Sequence, residues 1–316
     1  MPLRLSHVDV LRSVRRDVAE SAETGAPPLG HLAGLHRVPT QDGSYALAFD
    51  LERPLMAGGP GLLEIAMLTD LALGGAIRNQ VGRALPMPTI SMTLQLAPGR
   101  AAQVAAADSE CTGRLDRTAT ARSQLKTAAG EIVGDAQGVF ALPAMPYDGP
   151  ERAMPWDCLP GDDAADTGGG AADDLTSWTP GTTDAALVDR IVEHASRTPR
   201  CAWGTAHVEQ QLTSNGENIA LTPTEPMANR LGHVQGGALF TAAVLAAARR
   251  GEFPVDSLVT GTIEFIDAVR LDDQILTQVS VLRASGRSLF ASVLVDQGER
   301  RCCHVTTVFR RDYAIS

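Results

Sequence analysis

The sequence predicts an α+β chain built from two copies of one unit. In each copy an antiparallel sheet wraps around a single central helix, so the chain holds two sheets and two such helices. Three observations predict this. The order strand–strand–helix–strand–strand–strand–strand occurs twice along the 316 residues. Each copy contains one apolar segment of helical length, residues 61–77 with only Glu64 and Asp70 charged, and residues 237–249, nearly uncharged. A helix that is apolar on nearly every side is buried on nearly every side. Finally, PTISMTLQLAPG (88–99) resembles VTGTIEFIDAVR (259–270), which sets Thr89 against Thr260 at a shift of 171 positions.

The elements follow in order. Residues 8–23 read as an amphipathic helix, with Val10, Leu11, Val14 and Val18 at helical spacing and Arg12, Arg15, Arg16 and Asp17 between them. Strands are expected over 31–38 and 44–51, joined by the hairpin signal Asp42-Gly43. The first buried helix spans 61–77, and strands follow over 89–96, 103–115, 118–126 and 132–142. Residues 143–182 read as a linker. It carries Pro143, Pro146, Pro150, Pro155 and Pro160, a Gly168-Gly169-Gly170 tract and several aspartates, and has too little apolar surface to offset its ordering entropy. That places an N-terminal domain over 1–142 and a C-terminal one over 183–316. The second domain opens with an amphipathic helix over 184–196. Strands are expected over 202–212 and 218–222, then the helix over 237–249, then strands over 257–266, 274–284, 288–297 and 301–310.

Charge and composition narrow the function classes. The formal net charge of −10 is uneven: residues 1–142 carry −1, 143–198 carry −8 and 199–316 carry −1. No basic stripe interleaved with aromatics suggests a nucleic-acid partner. No apolar run approaches the roughly 18–20 residues that span a bilayer, and the N-terminus lacks the apolar core of a signal peptide. A cytoplasmic protein without a membrane partner is expected. Cys111, Cys158, Cys201, Cys302 and Cys303 have neither disulfide-framework nor zinc spacing, so no metal is expected. Cys302, Cys303 and His304 are consecutive on a strand and cannot converge on one point; buried structural thiols are the reading.

The sharpest motif precedes the second buried helix: Asn229-Arg230-Leu231-Gly232-His233-Val234-Gln235-Gly236-Gly237. It resembles the N-x-x-G-x-x-H-G-G signature of hotdog-fold acyl-CoA thioesterases of the phenylacetate-pathway type. Asn229, Gly232, Gly236 and Gly237 match, and Gln235 stands where that family has His. The resemblance extends over residues 30–142 and 200–311 and implies a tandem, double-hotdog chain whose two sheets join into one continuous layer. The glycines have a physical logic of their own. A thioester carbonyl becomes an oxyanion on attack, backbone N–H groups at a helix start receive it, and glycine removes the Cβ that would block the approach. A carboxylate must also stand nearby to activate water or attack directly.

The resemblance implies that this carboxylate lies nine residues after the His position. In the second copy that position is Val244, and its helix carries no acid. In the first copy Asp70, in LTDLA, resembles the family's acid, but the upstream Met56-Ala57-Gly58-Gly59-Pro60-Gly61 lacks the Asn and His, and Gly58-Gly59 lies too far from it. The copies are damaged in complementary ways. Because the family's sites draw on both partners, the resemblance implies one composite site. Asp70 acts there as base or nucleophile opposite Asn229, Gln235 and the Gly236 N–H. Thr89 is a hydroxyl assistant, with Ser91 second, and Gly237 and His233 are further substrate contacts. The implied reaction is hydrolysis of an acyl-CoA to a free acid and coenzyme A, with no cofactor beyond the coenzyme A of the substrate. Double hotdogs of the family also suggest a homo-oligomer. Two alternatives stand beside this reading: a non-catalytic acyl-CoA or lipid-binding double hotdog, and a hotdog dehydratase or hydratase. Residue by residue, Glu64 rivals Asp70, Arg78 is a candidate structural partner for Asp70, and Asn229 can simply cap its loop.

Overall fold

A computed structural model describes residues 28–40, 44–53, 56, 59–82, 85–144, 203–215, 218–224, 227–229, 232–271 and 273–311. The expected helices over 8–23 and 184–196, the 41–43 turn and nearly all of the expected linker lie outside those residues.

Four α-helices and twelve strands occur among the described residues. In chain order they are α1 (Pro28–Leu32), β1 (His36–Val38), β2 (Tyr45–Ala48), α2 (Leu62–Val81), β3 (Thr89–Leu96), β4 (Ala106–Leu115), β5 (Thr118–Lys126) and β6 (Ile132–Ala141). The second half holds α3 (Trp203–Gln211), β7 (Leu212–Asn215), β8 (Asn218–Leu221), α4 (Gly236–Gly251), β9 (Leu258–Phe265), β10 (Ile275–Ala284), β11 (Ser288–Gln297) and β12 (Arg300–Arg310). None of the helices is long and apolar enough to cross a membrane.

The two sheets join into one continuous layer, as the resemblance implies. All twelve strands form a single antiparallel sheet in the order β1-β2-β4-β5-β6-β3-β9-β12-β11-β10-β8-β7, which reads the same from either end once each strand is matched to its counterpart. The halves join where β3 pairs with β9. Pairing there removes two edge strands that would otherwise present unpaired backbone groups. Thr93 and Thr262 stand opposite each other in this seam with their hydroxyls 2.9 Å apart, 169 positions apart in sequence. The same offset relates the bounds of β3 to β9 and of β4 to β10. The shift of 171 is therefore corrected to 169. A slip of two keeps every side chain on its own face, so the apolar pattern alone could not tell them apart.

Helix α2 packs on β2 to β6 and α4 on β10 to β12, and the two helices pack against each other. The core lies between them and the sheet, with Leu63, Ile65, Met67, Leu68 and Leu73 of α2 and Phe240, Val244 and Ala247 of α4 essentially inaccessible. The strand expected over 44–51 is reduced to β2, and two other expected strands begin in helix instead. Residues 31–38 yield only β1, because Leu29, Leu32 and Ala33 are buried at helical spacing behind Pro28 at the start of α1. Residues 202–212 yield α3. Gly204 to Val208 are buried one after another, which a half-exposed strand cannot achieve, and α3 packs instead against α2 and α4.

Candidate functional site

Helix α4 starts at Gly236, with Gln235 as its N-cap residue in extended conformation. The first N–H groups of a helix have no carbonyl partner within it and carry its positive end. Gly236, the first residue of α4, lines a cavity of about 510 Å³. Across it, on α2, stands Asp70: its Oδ2 is 3.6 Å from the point where a Cβ on Gly236 would lie. The same Cβ would stand 2.8 Å from Phe265 Cζ, so only glycine fits between the ring and the carboxylate. Thr89, on the first residue of β3, donates its hydroxyl to Asp70 Oδ1 at 2.7 Å. Burial pushes the Asp70 carboxyl above the ordinary aspartate value of 3.8, while the Thr89 hydrogen bond and the charge of Arg78 pull the other way without cancelling it.

Helix starts explain the spacing better than the glycine pair does. Gly61 is the N-cap of α2 and Gln235 that of α4; Asp70 and Val244 are each the ninth residue after their own cap. The apparent misfit of Gly58-Gly59 disappears, because the helix is capped at Gly61 rather than at that pair.

The loop before α4 is held by its own backbone. Asn229 N–H donates to His233 O at 2.7 Å, and Asn229 Oδ1 accepts from His233 N at 3.2 Å. Gly232 has φ +75°, a conformation that suits glycine in this turn. Asn229 thus does cap its loop, yet it also lines the cavity, as do His233, Gln235 and Gly236. Gln235 is only 3% exposed, and its Oε1 has no hydrogen-bond partner among the described residues. A buried amide oxygen in that state is expected to receive a polar group of a ligand or a water.

Two expected contacts lie elsewhere. Gly237 does not line the cavity. A Cβ there would stand 2.9 Å from Met67 N and 3.2 Å from Ala66 C, so Gly237 permits the close crossing of α4 over α2. Ser91 lies further along the seam, opposite Val139 and Glu264, and is not part of the cavity wall. Cys302 and Cys303 are buried, and burial pushes both thiols up, away from the reactive thiolate. Several cavity residues carried no motif in the sequence. Phe140, Phe265, Met87 and Leu239 build its apolar wall and Arg78 adds a cation. Only Arg78 had a sequence signal, being two helical turns after Asp70 on the same face.

The equivalent place at the start of α2 is filled by the protein itself. Gly61 N–H donates to Glu64 Oε2 at 3.2 Å, Leu63 N–H donates to Thr205 Oγ1 at 2.9 Å, and Thr205 Oγ1 donates to Glu64 Oε2 at 2.8 Å. A Cβ on Gly61 would fall 2.3 Å from Thr205 Oγ1. Burial raises the Glu64 carboxyl, and these hydrogen bonds offset part of the rise. Glu64, the rival to Asp70, is therefore a buried helix-start partner, outside the large cavity. Thr205→Ala leaves Leu63 N–H and Glu64 short of a partner, and a loss of about 1–3 kcal/mol is expected. A lowered melting temperature in calorimetry checks it; an unchanged one would show that water or Glu64 refills the gap.

The chain matches no family profile and no curated protein sequence. Solved structures do match it. One is the acyl-CoA thioesterase II TesB2 of Mycobacterium marinum, at 12% identity and TM-score 0.51, covering 91% of this chain and 98% of that one. Another is a tesB protein of Mycobacterium avium subs. paratuberculosis, at 12% identity and TM-score 0.50, covering 90% and 98%. At such identities the likeness is one of fold. The chain shares its tandem, single-sheet fold with these structures.

Proposed function

We propose that the chain is an acyl-CoA thioesterase with one working cleft, formed between the start of α4 and Asp70 of α2. The observation that carries the reading is the apposition of a carboxylate and a Cβ-free helix start, with Asp70 Oδ2 3.6 Å from the Gly236 Cβ position inside a largely apolar cavity. The thioester carbonyl lies against the Gly236 N–H. Asp70 takes a proton from a water, the resulting hydroxide adds to the carbonyl carbon, and the oxyanion is received by the helix start. Collapse breaks the C–S bond, and the departing sulfur takes the proton back from Asp70. Thr89 fixes the Asp70 rotamer, while Asn229 and the amide of Gln235 orient substrate or water. Gln235 cannot shuttle a proton as His would, which leaves all proton transfer to Asp70. The plugged start of α2 and Val244 on α4 support a single cleft.

Release of thiol from a panel of acyl-CoAs, followed with a thiol reagent, tests the reading; saturable binding without thiol release would favour a non-catalytic acyl-CoA carrier instead. That second reading draws on Gln235 in the His position. Thr89→Val supplies a pH test. Without its hydrogen bond the Asp70 carboxyl is pushed up further, so the acid limb of the rate profile moves to higher pH. An unmoved limb would separate Thr89 from the base.

A further inference from the structure

The cavity beside Asp70 holds a cation that the proposed hydrolysis does not use. Arg78 lines it, and its guanidinium turns back along α2, with Nη1 3.3 Å from the point where a Gly74 Cβ would stand. Long helical side chains lean toward the helix N-terminus, and glycine at 74 leaves the room. Phe140 Cε1 flanks the same point at 3.5 Å. Gly74 is one turn after Asp70, so the guanidinium lies about 5–6 Å along the same helix face. Its charge is felt at Asp70. The cavity lining includes the apolar Leu71, Met87, Leu239 and Phe265, with Asn229, His233 and Asp267 among its polar members. A guanidinium offers five N–H donors in a planar fork that matches a carboxylate, and apolar surroundings strengthen that pairing.

We propose that Arg78 recognises a carboxylate at the far end of the acyl group, making short dicarboxylyl thioesters the preferred substrates. The inference rests on the thioesterase reading and specifies its substrate class. With the carbonyl at the start of α4, the one-turn span suits a chain of about four to six carbons at bond lengths of about 1.5 Å. The phosphates of coenzyme A are the other anions in such a substrate, but the whole pantetheine arm separates them from the carbonyl.

The test compares adipyl-CoA with hexanoyl-CoA, equal in length and different only in the terminal carboxylate. The unmodified chain is expected to favour adipyl-CoA about 10- to 100-fold in kcat/KM, and Arg78→Met to lose that preference. Both substrates use the same base, so any change in Asp70 cancels from the ratio. The same pair presented as N-acetylcysteamine thioesters, which carry no phosphate, keeps the preference; if Arg78→Met instead slows both acyl-CoAs equally and leaves both N-acetylcysteamine thioesters unchanged, Arg78 meets a coenzyme A phosphate and the proposal is overturned. Calorimetric binding of both acyl-CoAs to Asp70→Asn reads the preference without turnover. Equal affinities overturn the role of Arg78, whereas tighter adipyl-CoA binding by a chain that hydrolyses neither compound supports Arg78 and overturns the hydrolase reading alone.

Discussion

Asp70→Asn is expected to lower kcat for acyl-CoA hydrolysis about 10²–10⁴-fold, the range that loss of a general base gives. Its melting temperature at neutral pH should match or exceed that of the unmodified chain. Asparagine keeps the shape of the side chain and an oxygen that accepts from Thr89, which now bonds Asp70 Oδ1 at 2.7 Å. What it loses is the capacity to take a proton. The stability expectation follows from linkage. Burial holds the Asp70 carboxyl above 3.8 in the folded chain, so the folded state keeps this proton when the unfolded state has released it. Stability contributed at this site therefore falls as pH rises from 3.8 through the raised folded value, and stays lower above it. A neutral asparagine is free of that penalty. The gap in melting temperature between variant and parent should open across this window and close below it. Thiol-release kinetics and calorimetry at several pH values check both halves, and full hydrolysis by the variant would remove Asp70 from the mechanism.

The same residues show how much could be read from the chain before its fold was known. The bounds of β3 and β5 match their expected spans, because strict alternation within short, turn-bounded runs leaves one assignment. The buried helices were legible from their lack of charge. The α3 segment was misread because its burial is imposed by neighbours: Gly204 and Thr205 lie against Glu64, 140 residues away in sequence, and no local period encodes that contact. The motif located Asn229, Gln235 and Gly236 at the cavity, and the absence of an acid at Val244 pointed to Asp70 across the seam. Gly237 matched the signature equally well but serves the helix crossing, since a glycine needed for a ligand and one needed for a neighbouring backbone look alike in sequence. The apolar wall was illegible. Phe140 and Phe265 come from the ends of β6 and β9, and only the tertiary fold brings them together.

Gly236→Ala is the second large effect expected: a fall in kcat/KM of about 10²–10³-fold, comparable with removing one oxyanion donor. The helix itself should tolerate the change, as alanine is favoured over glycine in a helix by roughly 0.5–1 kcal/mol. The harm is local. The new methyl group would stand 2.8 Å from Phe265 Cζ and 3.6 Å from Asp70 Oδ2, in the space through which a carbonyl must reach the helix start. The first distance requires the ring to move, and a displaced Phe265 could lower activity by disturbing the cavity wall without any role for the N–H. Gly236→Ala combined with Phe265→Leu separates the two causes. Leucine removes the ring carbon that clashes, so packing recovers and the melting temperature should return toward that of Phe265→Leu alone. If access to the Gly236 N–H is what catalysis requires, the double variant stays as slow as Gly236→Ala, because the methyl group still covers the donor. If its rate climbs to that of Phe265→Leu, glycine at 236 serves only to accommodate the ring, and the oxyanion must be received elsewhere.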